Sequence, residues 1–218
     1  MKSLWGNILL VAAAAGLITA GIIIFKKGTN VRTLEYWDPV EEGLRHDQQA
    51  GQHHKVLDFS LTDQTGKTIT RADFTKSITV VDFFFTTCQG ICPRMNTQMQ
   101  RVYQAYKGNP EVKFISHTVN PENDSVPVLA AYAQRFHADA DQWHFVTGDK
   151  PQLYNLARKS YLISDTEGDG GKEDFVHSQM FSLVDKEGYI RGIYDGTDPE
   201  EVDRLITDIK VLMGQYAK

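Results

Sequence analysis

Cysteine is nearly absent from this chain: 218 residues hold only two, Cys88 and Cys92. A structural staple is a poor explanation on physical grounds. A disulfide stabilises more as the loop it closes lengthens, and this pair would close only five residues. With no cysteine ahead of Cys88, there is none near the amino terminus for a lipoprotein signal to use. A basic excess is also missing. Residues 28–218 carry 20 Lys and Arg against 28 Asp and Glu, a net −8, which argues against nucleic acid or an anionic membrane surface as partner. There is no visible internal repeat.

One long apolar run is present. Ile8 to Phe25 reads ILLVAAAAGLITAGIIIF, 18 uncharged residues between Lys2 and the pair Lys26-Lys27. That length predicts a transmembrane helix. A cleaved signal peptide is the rival, but the run passes straight into two lysines without a polar, small-residue cleavage region. Charge does not orient the helix towards export: Lys2 and the amino terminus lie on one side, Lys26, Lys27 and Arg32 on the other. The expected organisation is a tip (1–7), an anchor (8–25), a tether (26–52) and one domain (53–218). The tether segment EEGLRHDQQAGQHH has few large apolar residues and no period, so no structure is expected there. LEYWDPV, just before it, is apolar enough to pack on the domain or to sit at a membrane surface.

The domain alternates strand and helix signals. KVLDFSLTDQTGKTIT holds two strands around a turn at Asp63–Gly66. ITVVDFFF is a continuous β-branched and aromatic run, as expected of a strand buried on both faces. From Pro93 to about Lys107, Met95, Met99, Val102 and Tyr106 recur at helical spacing. Then come a strand in VKFISHTV, a helix from Ser125, a strand in QWHFVTG and a helix capped by Asp149. A hairpin turning at Asp185–Gly188 and a last helix started by Asp198 and Pro199 complete the chain. The order predicts an α/β domain with a mostly parallel sheet, helices on both faces and antiparallel additions.

Cys88 and Cys92 therefore fall where a buried strand ends and a helix begins. Polarised N–H groups at a helix start favour thiolate, and three intervening residues put the sulfurs about one turn apart. The pair is either a redox couple or a pair of soft metal ligands. Asp82, six residues before Cys88 in an apolar strand, needs a reason to be there, because a buried carboxyl is costly unless paired or neutral. It is a candidate proton acceptor for the thiols; the plainer reading is an acid bonded to a backbone N–H or a nearby cation.

The stretches FFFTTCQGICPRMNTQM, VKFISHTVNPENDSVPVLAAYAQRF, WHFVTGDK and DFVHSQMFSLVDKEGYIRGIYDG together resemble the Sco/SenC family across roughly residues 55–215. The C-x-x-x-C-P motif with a distant histidine heading an apolar strand is the specific part. The resemblance implies a thioredoxin-like mixed sheet with flanking helices and an added N-terminal β-hairpin, preceded by one transmembrane helix. It implies a membrane-anchored copper chaperone for the dinuclear copper centre of cytochrome c oxidase, with Cys88, Cys92 and His177 as metal ligands. Two soft thiolates suit Cu(I), and an imidazole also suits copper. The implied partners are the copper-accepting oxidase subunit, other copper carriers and thiol reductants. The implied place is the inner membrane, single-pass, with the domain on the extracytoplasmic side.

Two departures stand out: Asn120 where relatives commonly carry an aspartate, and Gln89-Gly90-Ile91, without proline, between the cysteines. Two other functions stay open. One is a thiol–disulfide oxidoreductase using Cys88, Cys92 and Asp82, for which His177 would be dispensable; FVHSQMF, however, has no proline where such enzymes place one in cis. The other is a zinc site of two Cys and one His with an open position. A peroxidase of the peroxiredoxin type is rejected, since Phe85 stands where its motif needs threonine. Met95, Met99 and Met180 read as core filler, and His46, His53 and His54 as tether residues.

Overall fold

A computed structural model describes residues 32–40, 43–47, 53–164, 168, 171 and 174–217. The predicted tip 1–7 and anchor 8–25 lie outside them. No described helix is long and apolar enough to cross a membrane.

The strands are β1 (Tyr36–Val40), β2 (Gly43–Asp47), β3 (Ser60–Asp63), β4 (Thr68–Thr70), β5 (Ile78–Phe84), β6 (Val112–Thr118), β7 (Trp143–Thr147), β8 (Met180–Val184) and β9 (Ile190–Asp195). The α-helices are α1 (Cys92–Tyr106), α2 (Val126–Gln134), α3 (Lys150–Asn155) and α4 (Pro199–Tyr216). Seven strands form one sheet in the order β4-β3-β7-β6-β5-β8-β9. Only β7, β6 and β5 run parallel; the other pairings are antiparallel. The sheet is thus mixed rather than mostly parallel. The reason is that β3–β4 and β8–β9, both hairpins, add to the two edges of a short parallel centre.

β5 is buried at every position, as its apolar run requires. Its even residues Ile78, Val80 and Phe84 join the core under α1, α2 and α4, while Val81 and Phe83 join a second core on the opposite face. On α1, Met95, Met99, Val102 and Tyr103 are all buried, and each such side chain contributes about 1.5–3 kcal/mol relative to exposure. The π-turn Leu156–Ser160 extends α3, giving Leu156 and Ala157 to the second core. Asp149 and Asp198 cap their helices through the N–H of Gln152 and Glu200, whereas Ser125 makes no side-chain cap bond to α2.

Part of the predicted tether is folded. β1 and β2 pair antiparallel, Val40 facing Gly43, and Leu34 is buried in the main core. Arg191 of β9 explains the docking: its guanidinium donates to the carbonyls of Leu34 (2.6 Å) and Glu35 (3.1 Å) and lies 4.1 Å over the Tyr36 ring. His53 stacks on Tyr36 at 3.9 Å and bonds Asp38 at 2.8 Å. The compact unit that holds the seven-stranded sheet accordingly begins at Leu34.

Candidate functional site

β5 delivers its carboxyl end to a turn, Phe85–Ile91, and α1 starts at Cys92. The Cys88 N–H closes this turn on the Phe85 carbonyl at 3.2 Å. Both thiols are free; Cys88 is partly exposed and Cys92 is buried. Burial alone would push the Cys88 thiol up. The Cys92 S–H and the N–H groups of Cys92, Gly90 and Ile91 gather on its sulfur, however, and hold it below the ordinary thiol range. Cys92 is pushed up to about 12, first by burial, then by its role as donor to Cys88 and by the nearby charges of Cys88 and Asp82. The pair is therefore polarised: an accessible, thiolate-prone Cys88 and a proton-holding Cys92 beneath it.

Asp82 is 1% exposed on the face of β5 that carries Val80 and Phe84. Burial raises its carboxyl to about 7, against the pull of one hydroxyl, Ser116 Oγ at 2.5 Å. Ser116 in turn accepts from the Trp143 indole N–H at 2.9 Å. The alternation along β5 is the reason Asp82 faces the core under α1 rather than solvent, where its charge is felt at Cys92.

His177 lies three residues ahead of β8 and is exposed. With Cys92, Ile91, Phe85 and Gln179 it lines a cavity of about 200 Å³. Its ring rests 4.7 Å from Phe175, which packs edge-on against Phe85 of the cysteine turn. The segment is tied on both sides of the histidine. Asp174 takes a two-pronged bond from Arg158 (2.6 and 2.7 Å), Ser178 donates to the Ile163 carbonyl at 2.6 Å, and Gln179 donates to Asp195 at 2.6 Å. Among the described residues, no three His, Cys, Asp or Glu side chains converge closely enough to hold a metal ion. The structure brings Cys88 and Cys92 together and sets His177 on the rim of the cavity that Cys92 lines.

Asn120 accepts from the Asn123 side-chain amide at 3.0 Å. The acid that does reach the cysteine turn is Asp124, which accepts from Thr86. Asp124 carries no local sign of this role beyond its place just before the α2 start. The Arg158–Asp174 fork was equally hidden, since nothing local pairs positions 16 apart.

The SCO1/SenC family model matches residues 47–214. The SCO1 protein homolog of Bacillus subtilis (strain 168) is 30% identical over 162 residues, spanning 72% of this chain and 82% of that protein. The solved structure of BsSco, a member of the Sco family of cytochrome c oxidase assembly proteins in which a disulfide switch was identified, superposes with a TM-score of 0.61 at 30% identity, covering 76% of this chain and 98% of that one. The crystal structure of Arabidopsis thaliana ScoI with copper bound superposes with a TM-score of 0.57 at 25% identity, covering 71% of this chain and 98% of that one.

Proposed function

The chain belongs to the SCO1/SenC family, and on that footing we propose that it is a copper metallochaperone serving assembly of the dinuclear copper centre of cytochrome c oxidase. Copper is its cargo, one ion held by Cys88, Cys92 and His177. The observation that carries this reading is the shared cavity: His177 and Cys92 line it, and Cys88 is hydrogen-bonded to Cys92. The donor set suits the ion. Two thiolates are soft enough for Cu(I), and a neutral imidazole serves either oxidation state. Two thiolates bring a charge of −2, so the loaded site totals −1 with Cu(I) and zero with Cu(II). Cys88 is already biased to thiolate, and Cys92 gives up its proton on binding. The His177 ring makes no protein hydrogen bond among the described residues, so side-chain rotation can bring it toward the thiols.

Residues 8–25 would anchor the chain in the inner membrane, with the domain on the extracytoplasmic side, where the copper-accepting oxidase subunit and other copper carriers are met. A reporter fused at Lys218 that is active only in the cytoplasm would reverse this topology.

A second reading is favoured by Asp82: reduction of a partner's disulfide. In that step Cys88 attacks the disulfide, Cys92 displaces the mixed disulfide, and the two electrons and two protons leave with the partner as Cys88–Cys92 oxidises. Copper titration of the purified, reduced full chain beside His177→Ala separates the two. One copper per chain, with a thiolate-to-Cu(II) band lost or strongly altered in the variant, supports the chaperone. Copper binding indifferent to His177, with disulfide reduction retained, supports the reductase.

A further inference from the structure

We propose that Asp124 is a positioning residue for Cys88, acting through Thr86; the proposal rests on the reading of Cys88 as a copper ligand. Asp124 is wholly buried in the turn between β6 and α2. Its carboxyl accepts from Thr86 Oγ1 at 2.5 Å and from the Thr86 N–H at 3.2 Å, and also from Thr118 Oγ1 at 2.5 Å. Thr118 Oγ1 takes the Asn120 N–H at 2.9 Å, and the Asp124 N–H returns to the Asn120 carbonyl at 2.9 Å. One carboxyl thus fastens three things together: the end of β6, the turn after it, and the backbone two residues before Cys88. Beside it the Val119 N–H bonds the Phe84 carbonyl at 2.8 Å, carrying the β5–β6 pairing past the strand ends.

Comparison with other buried acids of this fold distinguishes positioning from ordinary turn filling. Asp185 accepts from the N–H groups of Glu187 and Tyr189, and Asp63 from those of Thr65 and Lys67. Those donors are two and four residues away, inside the hairpin each acid stabilises, and each acid holds one further partner beyond it, Arg191 for Asp185 and His144 for Asp63. What sets Asp124 apart is where it reaches: 38 residues back, to the turn that bears the thiol. From Thr86 onward that turn is held by little else local: Cys88 N–H to Phe85 O, and then the first turn of α1. Groups outside the ligand shell fix ligand direction, and their loss typically weakens metal binding. In this protein Asp124 supplies that support from the neighbouring strand end, and the acid missing at Asn120 is not needed for it.

The test uses the reduced full chain with three substitutions. Thr86→Val removes the hydroxyl at nearly constant volume, Thr86→Ser keeps it, and Asp124→Asn keeps the shape of the carboxyl. Two quantities are read at a temperature where circular dichroism shows each variant folded. One is the ratio of Cys88 to Cys92 alkylation without metal, by peptide mass; the other is Cu(I) affinity by chelator competition. Thr86→Val should weaken Cu(I) binding about 10-fold or more and shift the alkylation ratio about threefold, with Thr86→Ser within about twofold of the parent. A purely structural Asp124 would lower the melting temperature and leave both quantities unmoved, which overturns the proposal. Should Asp124→Asn not fold, the Thr86 pair decides. If the parent takes no copper, the chaperone reading fails, while the alkylation ratio still decides the role of Asp124.

Discussion

Asp82 and His117 stand one register step apart on neighbouring strands, 1% and 0% exposed, and their side chains enter opposite cores. Asp82 shares its face with Val80 and Phe84 beneath α1, while His117 stacks on Phe83 at 4.6 Å in the second core. Burial drives both toward their neutral forms, which moves the two titrations in opposite directions.

The expected pH dependence follows from the signs. Asp82 is raised by burial to about 7, so above its unfolded value of 3.8 the native state keeps a proton the unfolded chain has lost, and stability falls as pH rises to about 7. His117 is lowered by burial to about 3, the Asp82 carbonyl offsetting this only in part. Below 6.5 the unfolded chain takes a proton that native His117 refuses, so stability rises with pH through that window. Between about pH 4 and 6.5 the two slopes, each up to about 1.4 kcal/mol per pH unit, oppose one another. Asp82→Asn should therefore become more stable as pH climbs through this window, and His117→Phe less stable. Urea unfolding at stepped pH reads both; profiles parallel to the parent's would refute the assignment.

Thiol chemistry should divide the cysteines. With Cys88 held below the usual thiol range and Cys92 pushed up to about 12, iodoacetamide at about pH 7.5 should modify Cys88 first and leave Cys92 largely unreacted. Peptide mass after timed quenching gives the order. Equal rates at the two sites would mean the polarisation is absent.

Gly196 marks a close approach behind the histidine segment. A Cβ there would meet the Phe181 ring at 2.6 Å and the Gln179 carbonyl at 2.8 Å, and the Gly196 N–H already donates to that carbonyl at 2.7 Å. Gly196→Ala should cost about 1–3 kcal/mol by overpacking and shift Gln179, two residues from His177. Thermal unfolding and copper affinity, measured together, should both fall; an unchanged melting temperature would show that the site relaxes freely.

Arg191 holds the amino-terminal hairpin. Besides the Leu34 and Glu35 carbonyls it meets Asp185 at 3.0 Å, both side chains being almost fully buried. Arg191→Met should destabilise by about 3–5 kcal/mol, since it leaves Asp185 without its cation, and should open residues 34–47 to protease. Limited proteolysis with amino-terminal sequencing checks it; a hairpin as resistant as the parent's would move the docking energy to Leu34 and the Tyr36–His53 stack.

Much of this architecture is legible in the residues themselves. The β5 run, the Met95–Met99–Val102 stripe and the Asp149 and Asp198 caps announce their elements through local periodicity and capping chemistry. The cysteines' place at a strand-to-helix junction follows from the same signals. What escaped reading depends on distant partners. Tyr36–Asp47 folds because of an arginine about 150 positions away, so its own polar composition reads as tether. Asp124 looks like any loop acid until Thr86 is beside it. The sheet reads as mostly parallel because alternation of β and α says nothing about which edge a hairpin joins.

β8 runs antiparallel to β5, and that is what lets a histidine 89 positions after Cys88 arrive at the same end of the sheet. The consequence lies in the order of assembly. The cysteines come together with α1 and the turn before it, close in sequence, and draw from elsewhere the Asp124 tie to Thr86, 38 residues on. The histidine joins them only after β8 has been synthesised and has found β5, a non-local pairing that comes late. On the proposed ligand set, a growing or half-folded chain would display a bare dithiol, open to oxidation, and offer all three ligands only once its last hairpin is in place. Copper loading, on that proposal, would be coupled to completed folding, and an unfinished molecule would be a poor recipient of the ion.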